Sequence, residues 1–252
     1  MLENNIFSKD YSVNTNNINI NGRLGLFGIL SMLQDAAAIH AEMIGLGMVD
    51  MMRKGCFWVV VQQKLKMDCW PLWQKTVEIK TWIRPLSGAK NYRDFEIFVD
   101  GKKIGESVFS FMLLDSKTRK PIWPDFILEF GKFCRKDNLI LIPKRIESPE
   151  ELEFKGNINV RISDLDVNNH VNNVKYTQWV LDSIPLEYHK KANLREYEIN
   201  FIAETRLEDS VEVFSRRNNH FEKKIVSSYY EGRRILDGKR LFKAFLIGSV
   251  DE

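Results

Sequence analysis

An internal duplication constrains this 252-residue sequence more than any other feature. A shift of 147 residues sets Val13 on Val160, and with that shift fixed the apolar positions match through a strand exit, a loop and a helix without a gap. Further along the chain the shift falls to 134, which sets Val77 on Val211 and implies a longer loop after the first helix. We therefore expect two copies of one fold.

Each copy shows a helical pattern followed by strand patterns. In the first copy, Ile29, Leu33 and His40 recur at helical spacing, and further apolar residues make this helix apolar almost all round. Gly45 and Gly47 predict its end. Short β-branched and aromatic runs predict strands at residues 56–67, 75–84, 90–99 and 103–115. In the second copy we expect a strand at 157–162, a helix at 172–184, and strands at 195–206, 210–217, 221–231 and 240–249.

The two repeats are predicted to be joined by a linker. The strand pattern weakens after the first repeat, where Pro143 and Pro149 are among the prolines that punctuate a stretch with many basic residues. The sequence predicts an N-terminal repeat at residues 1–130, a linker at 131–153 and a C-terminal repeat at 154–252.

Composition excludes several partners and environments. Lys and Arg total 37 against 34 Asp and Glu, and a net charge of +3 is too small to indicate nucleic acid or an anionic membrane as the main partner. The 3 cysteines lack metal-ligand spacing, so we expect a reducing compartment, no disulfide framework, no metal and no cofactor. No apolar run approaches the roughly 18 residues of a membrane helix, and residues 1–15 lack a leader pattern. A cytoplasmic location is expected.

The densest polar cluster lies between a predicted strand and the second predicted helix. Asp166, Asn168 and His170 alternate with apolar residues, and in extended chain this spacing directs three polar side chains to one side. The backbone N–H groups of a helix start lie next to them. The alternative is a turn followed by a helix N-cap, a position that favours residues such as Asn172 and Asn173.

The duplication helps to decide between these alternatives. With the shift of 147, the first copy has neither the carboxylate nor the imidazole, but instead Asn19, Asn21 and Arg23. A second acid, Glu204, comes near the end of a predicted strand, whereas the corresponding strand of the first copy, residues 56–67, contains no Asp or Glu. A motif needed only for folding should persist in both copies. We therefore expect the acids and the imidazole to be functional.

The polar cluster opens a longer segment that resembles the signature of the acyl-acyl-carrier-protein (acyl-ACP) thioesterases of plant plastids and bacteria: DLDVNNHVNNVKY, residues 164–176. Weaker matches extend from Tyr11 to Ser249 and include residues 33–37 with His40, residues 58–60, residues 71–73, and Phe201 with Glu204.

The resemblance implies an α+β fold, a tandem double hotdog in which each repeat is a long helix wrapped by an antiparallel sheet. It carries the catalytic network of the family onto Asp166, Asn168, His170 and Glu204. Many plant members have a cysteine directly after the glutamate, whereas this chain has Thr205, so a thiol nucleophile is excluded at that position.

The function that the resemblance implies is hydrolysis of the acyl-ACP thioester, which releases free fatty acid and terminates fatty acid synthesis. The partner is then an acyl carrier protein with a phosphopantetheine-linked acyl chain, and the enzyme is a monomer or a homodimer. The N-terminal repeat is expected to bind the acyl chain, with Trp58, Met32 and Met43 near it, and to be catalytically degenerate.

Two other functions stay open. Hydrolysis of acyl-coenzyme A shares the thioester and the pantetheine arm, and some hotdog proteins bind acyl thioesters without catalysis.

A carrier protein is acidic, so a local basic patch is expected on the second repeat. The candidates are Arg216, Arg217, Lys223, Lys224, Arg233 and Arg234.

Overall fold

The computed structural model describes residues 2–86, 88–220 and 225–250. The chain divides into two compact units, Met1–Pro143 and Lys144–Glu252, called here the N-terminal and the C-terminal unit. Over the described residues, no helix is both long enough and apolar enough to cross a membrane.

The described residues of the N-terminal unit form two α-helices and six strands. The helices are α1 Leu26–Met43 and α2 Met48–Arg53, and a 3-10 helix follows at Asp125–Phe133. The strands pair antiparallel in the order β1-β2-β4-β5-β6-β3. They are β1 Leu2–Glu3, β2 Ile6–Ser12, β3 Cys56–Met67, β4 Thr76–Ile83, β5 Asn91–Val99 and β6 Lys102–Asp115.

Helix α1 is the centre of this unit. Ile29, Leu30 and Leu33 are completely buried, and each such side chain contributes about 1.5–3 kcal/mol relative to an exposed position. The helix exposes a narrow stripe at Asp35 and Glu42, which explains why a helix that is apolar almost all round is stable in water.

The C-terminal unit repeats this plan with a shorter helix. Its helices are α3 Asn173–Asp182 and α4 Leu186–Lys191, with a 3-10 turn at Ile162–Asp164. Its strands pair antiparallel in the order β8-β11-β10-β9-β7. They are β7 Glu153–Asn159, β8 Ala192–Phe201, β9 Ser210–His220, β10 Ile225–Arg234 and β11 Arg240–Val250. Tyr176 of α3 packs edge-on against Phe201 and Phe242 of the sheet.

The backbone carries the duplication that the sequence predicts. An isolated antiparallel bridge joins Ile18 to Leu24 in the N-terminal unit, and the equivalent bridge, shifted by 147 residues, joins Leu165 to Val171. Helices α1 and α3 also begin 147 residues apart, at Leu26 and Asn173.

The predicted helices and strands are confirmed to within a few residues, with three differences. The predicted strand at 195–206 ends at Phe201, so Glu204 lies in the following loop and not in a strand. Residues 221–224 of the predicted strand at 221–231 lie outside the described residues. Helix α3 stops at Asp182, shortly before Pro185, which cannot supply a helical N–H.

Candidate active site

The segment that precedes α3 is a tight loop and not extended chain. The bridge between Leu165 and Val171 closes it, and the N–H of Asp166 donates to the carbonyl oxygen of His170 at 2.7 Å. The N–H of Asn169 donates back to the carbonyl of Asp166 at 3.1 Å, with Asn169 in the left-handed region at φ 59°. The expected alternation of side chains along an extended strand is therefore wrong.

Asp166 organises this loop through one carboxylate oxygen. Its Oδ1 accepts the backbone N–H of Asn168 at 2.8 Å and that of His170 at 3.3 Å. Asp residues commonly hold turns in this way. Asp166 and His170 are half-buried, whereas Asn168 is exposed. The turn thus fixes the backbone on both sides of the Asn168 side chain.

The imidazole of His170 meets the carboxylate of Glu204, which lies three residues beyond the end of β8. His170 Nε2 and Glu204 Oε2 are 3.4 Å apart, and the side chains are 17% and 36% exposed. An imidazole and a carboxylate at this distance, open to water, can orient a water molecule and exchange a proton with it. Arg206 also approaches Glu204 Oε2, at 3.7 Å.

Backbone contacts bring the two loops together. The N–H of Val171 donates to the carbonyl oxygen of Thr205 at 2.9 Å, which ties the Asp166 loop to the Glu204 loop. Arg234 donates to the carbonyl oxygen of Glu204 at 2.7 Å and forms ion pairs with Asp209 and Asp237 at 3.2 and 3.1 Å. These contacts could not be predicted from the sequence, because they join residues at least 30 positions apart and end on backbone carbonyl groups.

A buried tyrosine forms the apolar side of the site. Burial, aided by the charges of Asp166 and Asp209, raises the pKa of Tyr176 to about 12. Tyr176 is therefore neutral at physiological pH. Its buried ring excludes water from the side of the site that α3 forms.

The helix start is capped as the alternative interpretation proposed for Asn172. Its side-chain Oδ1 accepts the N–H of Val174 at 3.2 Å, and its own N–H donates to the carbonyl of Asp164 at 2.8 Å. Lys175 N donates to the carbonyl of Asn172 at 2.9 Å. The N–H of Asn173 is another first-turn donor that has no i→i−4 acceptor within the helix.

The three expected acyl-binding residues lie in the N-terminal unit. Met32 is buried on α1, and Met43, at the end of that helix, is 51% exposed. Trp58 of β3 is half-buried and packs against a core cluster that includes Ile44 and Met51. Their role in acyl binding remains a prediction.

The basic residues considered for a carrier patch have diverse surroundings. Arg217 stacks on the ring of Tyr188, with its guanidinium carbon 3.7 Å from the ring centroid. Arg234 is held by the ion pairs described above, so it is not a free surface charge. Lys223 and Lys224 lie outside the described residues.

Residues 4–128 match the family model of the acyl-ACP thioesterase N-terminal domain, and residues 146–241 match that of the acyl-ACP thioesterase C-terminal domain. The chain belongs to the acyl-ACP thioesterase family. This confirms the resemblance stated from residues 164–176, and the match to the C-terminal domain contains Asp166, His170 and Glu204.

Two curated relatives of this acyl-ACP thioesterase family member are plant proteins. The chain is 24% identical over 226 residues to dodecanoyl-[acyl-carrier-protein] hydrolase, chloroplastic, from Cinnamomum camphora, covering 82% of this chain and 58% of that protein. It is 29% identical over 201 residues to palmitoyl-acyl carrier protein thioesterase, chloroplastic, from Gossypium hirsutum, covering 72% of this chain and 48% of that protein. The chain thus spans roughly half to three fifths of the length of these relatives.

Solved structures share the fold over the whole chain. A crystal structure of an acyl-ACP thioesterase from Bacteroides thetaiotaomicron matches with a TM-score of 0.87 and 23% identity, covering 99% of this chain and 100% of that one. The 12:0-ACP thioesterase from Umbellularia californica matches with a TM-score of 0.87 and 20% identity, covering 98% and 95%. The expected α+β double hotdog is confirmed.

Proposed function

We propose that this family member hydrolyses the thioester of acyl-ACP and releases free fatty acid, which ends fatty acid synthesis. The observation that carries the proposal is the contact between His170 Nε2 and Glu204 Oε2, 3.4 Å apart beside the loop of Asp166. Membership of the family supports the same substrate class.

In the proposed mechanism, Glu204 acts as the general base. Its carboxylate, oriented by His170, takes a proton from a water molecule whose oxygen attacks the thioester carbonyl carbon. Asn168 and His170 orient the water and the thioester, and Asn173 N–H faces the developing oxyanion. The C–S bond then breaks, the carboxylic acid leaves, and the departing thiolate of the pantetheine arm receives the proton.

A competing version assigns the attack to Asp166. Its carboxylate would then displace the thiolate directly and form an anhydride, which water hydrolyses. We favour the water mechanism because Asp166 Oδ1 already accepts two backbone N–H groups, which fixes the carboxylate in the turn. A single turnover in isotopically labelled water separates the two versions. Label in the Asp166 side chain would rule out the mechanism in which Glu204 activates water without a covalent intermediate.

The decisive assay measures free fatty acid released from acyl-ACP substrates of graded chain length, with the matching acyl-coenzyme A substrates in parallel. We expect faster release from the carrier-protein substrates. Equal rates on both series would favour general acyl thioester hydrolysis. Binding without release at every chain length would make the chain a non-catalytic acyl-thioester-binding protein.

The two repeats have separate roles in this proposal. The repeat at 154–252 carries the catalytic residues, and the repeat at 1–130, joined to it by the linker at 131–153, binds the acyl chain with Trp58, Met32 and Met43. Substituting Met32 or Trp58 by alanine should change the preferred chain length while the rate on the best substrate falls less. An unchanged chain-length profile in both variants would remove the N-terminal repeat from acyl binding.

We further propose that the enzyme acts in a reducing compartment such as the cytoplasm, as a monomer or a homodimer. Cys56, Cys69 and Cys134 are all free thiols, which supports a reducing environment. Sedimentation of the purified chain at several concentrations separates the monomer from the dimer.

A further inference from the structure

The C-terminal unit contains a basic cavity of about 570 Å³ that the proposed mechanism does not use. Five of its lining residues are cationic. These five are Arg145, Arg233, Lys239, Arg240 and Lys243.

The cavity lies on the face of the sheet opposite to α3. Phe201 and Phe242 pack against Tyr176 of α3, so their sequence neighbours Asn200 and Lys243 point to the other face. On that face, the Asn200 side chain binds the backbone of residues 144–146, at the start of the C-terminal unit. Its Oδ1 accepts the N–H of Ile146 at 2.9 Å, and its Nδ2 donates to the carbonyl of Lys144 at 3.0 Å.

Lys243 is a buried cation in the wall of this cavity. It is 8% exposed, and its ammonium donates to the carbonyl oxygen of Ile146 at 3.1 Å. Throughout the described part of the chain, no carboxylate lies within 4.0 Å of Lys243 Nζ. A buried charge is costly unless it is paired, and one neutral acceptor compensates it only in part. An anion bound in the cavity would supply the missing charge.

A buried glutamate holds two of the arginines in place. Glu231 Oε1 accepts Arg233 Nε at 2.6 Å and lies 3.4 Å from Arg240 Nε, while Tyr229 donates to Oε2 at 2.5 Å and Ser148 to the same oxygen at 3.1 Å. Burial alone would raise the pKa of Glu231, but the hydrogen bonds from Tyr229 and Arg233 lower it, so the residue stays ionised. The carboxylate therefore orients both guanidinium groups, which line the cavity.

The cavity keeps an excess of positive charge after its ion pairs are counted. Glu231 serves both Arg233 and Arg240, and Glu147 approaches Arg145 at 3.4 Å. Two acids thus form ion pairs with three of the five lining cations. A third acid, Asp237, pairs with Arg234 and also interacts with Lys239, so the lining cations still outnumber the acids. An anion with several acceptor oxygens matches this arrangement, because arginine binds such groups with two donors at a time.

We propose that this cavity is a binding site for a phosphate ester. Its position links it to the catalytic loop, because Ile202, another lining residue, is two residues before Glu204, and because Arg234, whose neighbour Arg233 lines the cavity, donates to the carbonyl of Glu204. The phosphate has two possible sources: the phosphodiester of the pantetheine arm of the substrate, or a free phosphorylated metabolite. The first source rests on the proposed function, and the site itself does not.

Titration with inorganic phosphate and pyrophosphate tests the site in the whole chain. We expect pyrophosphate to bind the wild type. Calorimetry or phosphorus NMR at low ionic strength measures this binding. Lys243→Met and Arg240→Gln should each weaken binding at least about tenfold, since each removes a charged hydrogen-bond donor. Arg240 is 48% exposed, so its variant should fold even if the buried lysine proves essential for folding.

The matched control is Lys190→Met, which removes one charge from an exposed position of α4 outside the cavity. It should change pyrophosphate binding by less than about twofold, because screened surface charges act weakly at a distance. Equal binding by the wild type, Lys243→Met and Arg240→Gln would overturn the proposal, and so would the absence of pyrophosphate binding by the wild type.

Kinetics with two synthetic substrates then distinguish the sources. If the cavity binds the pantetheine phosphate, Arg240→Gln raises KM for acyl-phosphopantetheine and leaves KM for acyl-pantetheine unchanged. If it binds a free metabolite, pyrophosphate binds but the two KM values stay in their wild-type ratio. Failure to hydrolyse any thioester would refute the proposed function, while the titration would still decide whether the cavity binds phosphate.

Discussion

The two units build the loop in front of their helix with the same hydrogen bonds and different side chains. In the N-terminal unit, Asn19 Oδ1 accepts the N–H of Asn21 at 2.9 Å and that of Arg23 at 3.3 Å. In the C-terminal unit, Asp166 accepts the two equivalent N–H groups at 2.8 and 3.3 Å. An amide oxygen therefore suffices to fold this loop, and the negative charge of Asp166 is not required for that purpose.

The remaining positions of the loop differ in the same sense. The residue with positive φ is Gly22 at 67° in the first loop and Asn169 at 59° in the second. Arg23 donates to the carbonyl oxygen of Trp70 at 2.9 Å, whereas His170 at the equivalent position meets the side chain of Glu204. The duplication preserved the backbone of the loop, and only the second copy has an imidazole beside a carboxylate. This difference supports the catalytic roles proposed for His170 and Glu204.

The largest effect should come from Glu204→Gln. The substitution removes the carboxylate from the C-terminal unit, and the equivalent residue of the N-terminal unit, Trp70, has no carboxylate. We expect kcat/KM on acyl-ACP to fall roughly a thousandfold, within the range for loss of a general base. The nearby exposed Glu208→Gln serves as the control and should keep its activity. Turnover like that of the wild type in Glu204→Gln would exclude the proposed role.

Asp166→Asn copies the first loop into the second. Because Asn19 forms the same two hydrogen bonds with an amide, the free energy of unfolding of the variant should lie within about 0.5 kcal/mol of the wild-type value. The value of kcat/KM should fall at least about a hundredfold if the Asp166 carboxylate is the nucleophile of the competing version, and by less than about tenfold if Glu204 alone acts on water. Chemical denaturation and single-turnover assays measure the two effects.

The matched control for Asp166→Asn is Asn19→Ala in the other unit. It removes two hydrogen bonds and should lower the free energy of unfolding by about 1–2 kcal/mol, with the activity of the folded protein unchanged. A large loss of stability in Asp166→Asn would show that the charge itself holds the loop.

The histidines of the two units offer a smaller and different contrast. His40 of α1 is completely buried, stacks on Phe7 of β2, and accepts a hydrogen bond at Nδ1 from Arg93 of β5 at 2.7 Å. Burial, and then the charge of Arg93, lower its pKa from 6.5 to about 3. His40 is therefore neutral in the folded protein. It contacts a cation, whereas the half-buried His170 contacts an acid.

This contrast predicts an acid dependence of stability. Between pH 6.5 and about 3 the unfolded chain binds a proton at His40 that the folded chain does not bind. The contribution of neutral His40 to the free energy of unfolding is complete above pH 6.5. It is lost as the pH falls, by at most about 1.4 kcal/mol per pH unit. Denaturation at several pH values should show a shallower decline for His40→Gln than for the wild type. Parallel curves would contradict the assignment.

The smallest effect concerns the residue with positive φ. Gly22→Ala should lower the free energy of unfolding by about 1 kcal/mol, because an added Cβ meets no atom within 4 Å and only the left-handed conformation is unfavourable. Asn169→Gly should change it by a few tenths of a kcal/mol, because Asn already tolerates this conformation. Equal effects in the two loops, measured by thermal unfolding, would mean that their backbones are held differently.

Much of this molecule could be predicted from short-range patterns. The strand at 56–67 has the bounds of β3, and the two helix starts are 147 residues apart, because periodicity and capping depend on neighbouring residues. The alternation of polar residues around Asp166 was misinterpreted. A turn closed by a carboxylate and an extended strand have the same local pattern, and the hydrogen bonds that separate them are formed only in three dimensions.

The sequence by itself determined the repeat, the fold class and the residues that only the second copy carries. The tertiary structure decided which of them meet. Glu204 reaches His170 because Val171 donates to the carbonyl of Thr205 and Arg234 holds the loop, contacts between residues about 30 positions apart. The basic cavity likewise depends on strands that are distant in sequence and adjacent in the sheet, so its charges converge only once the strands have paired.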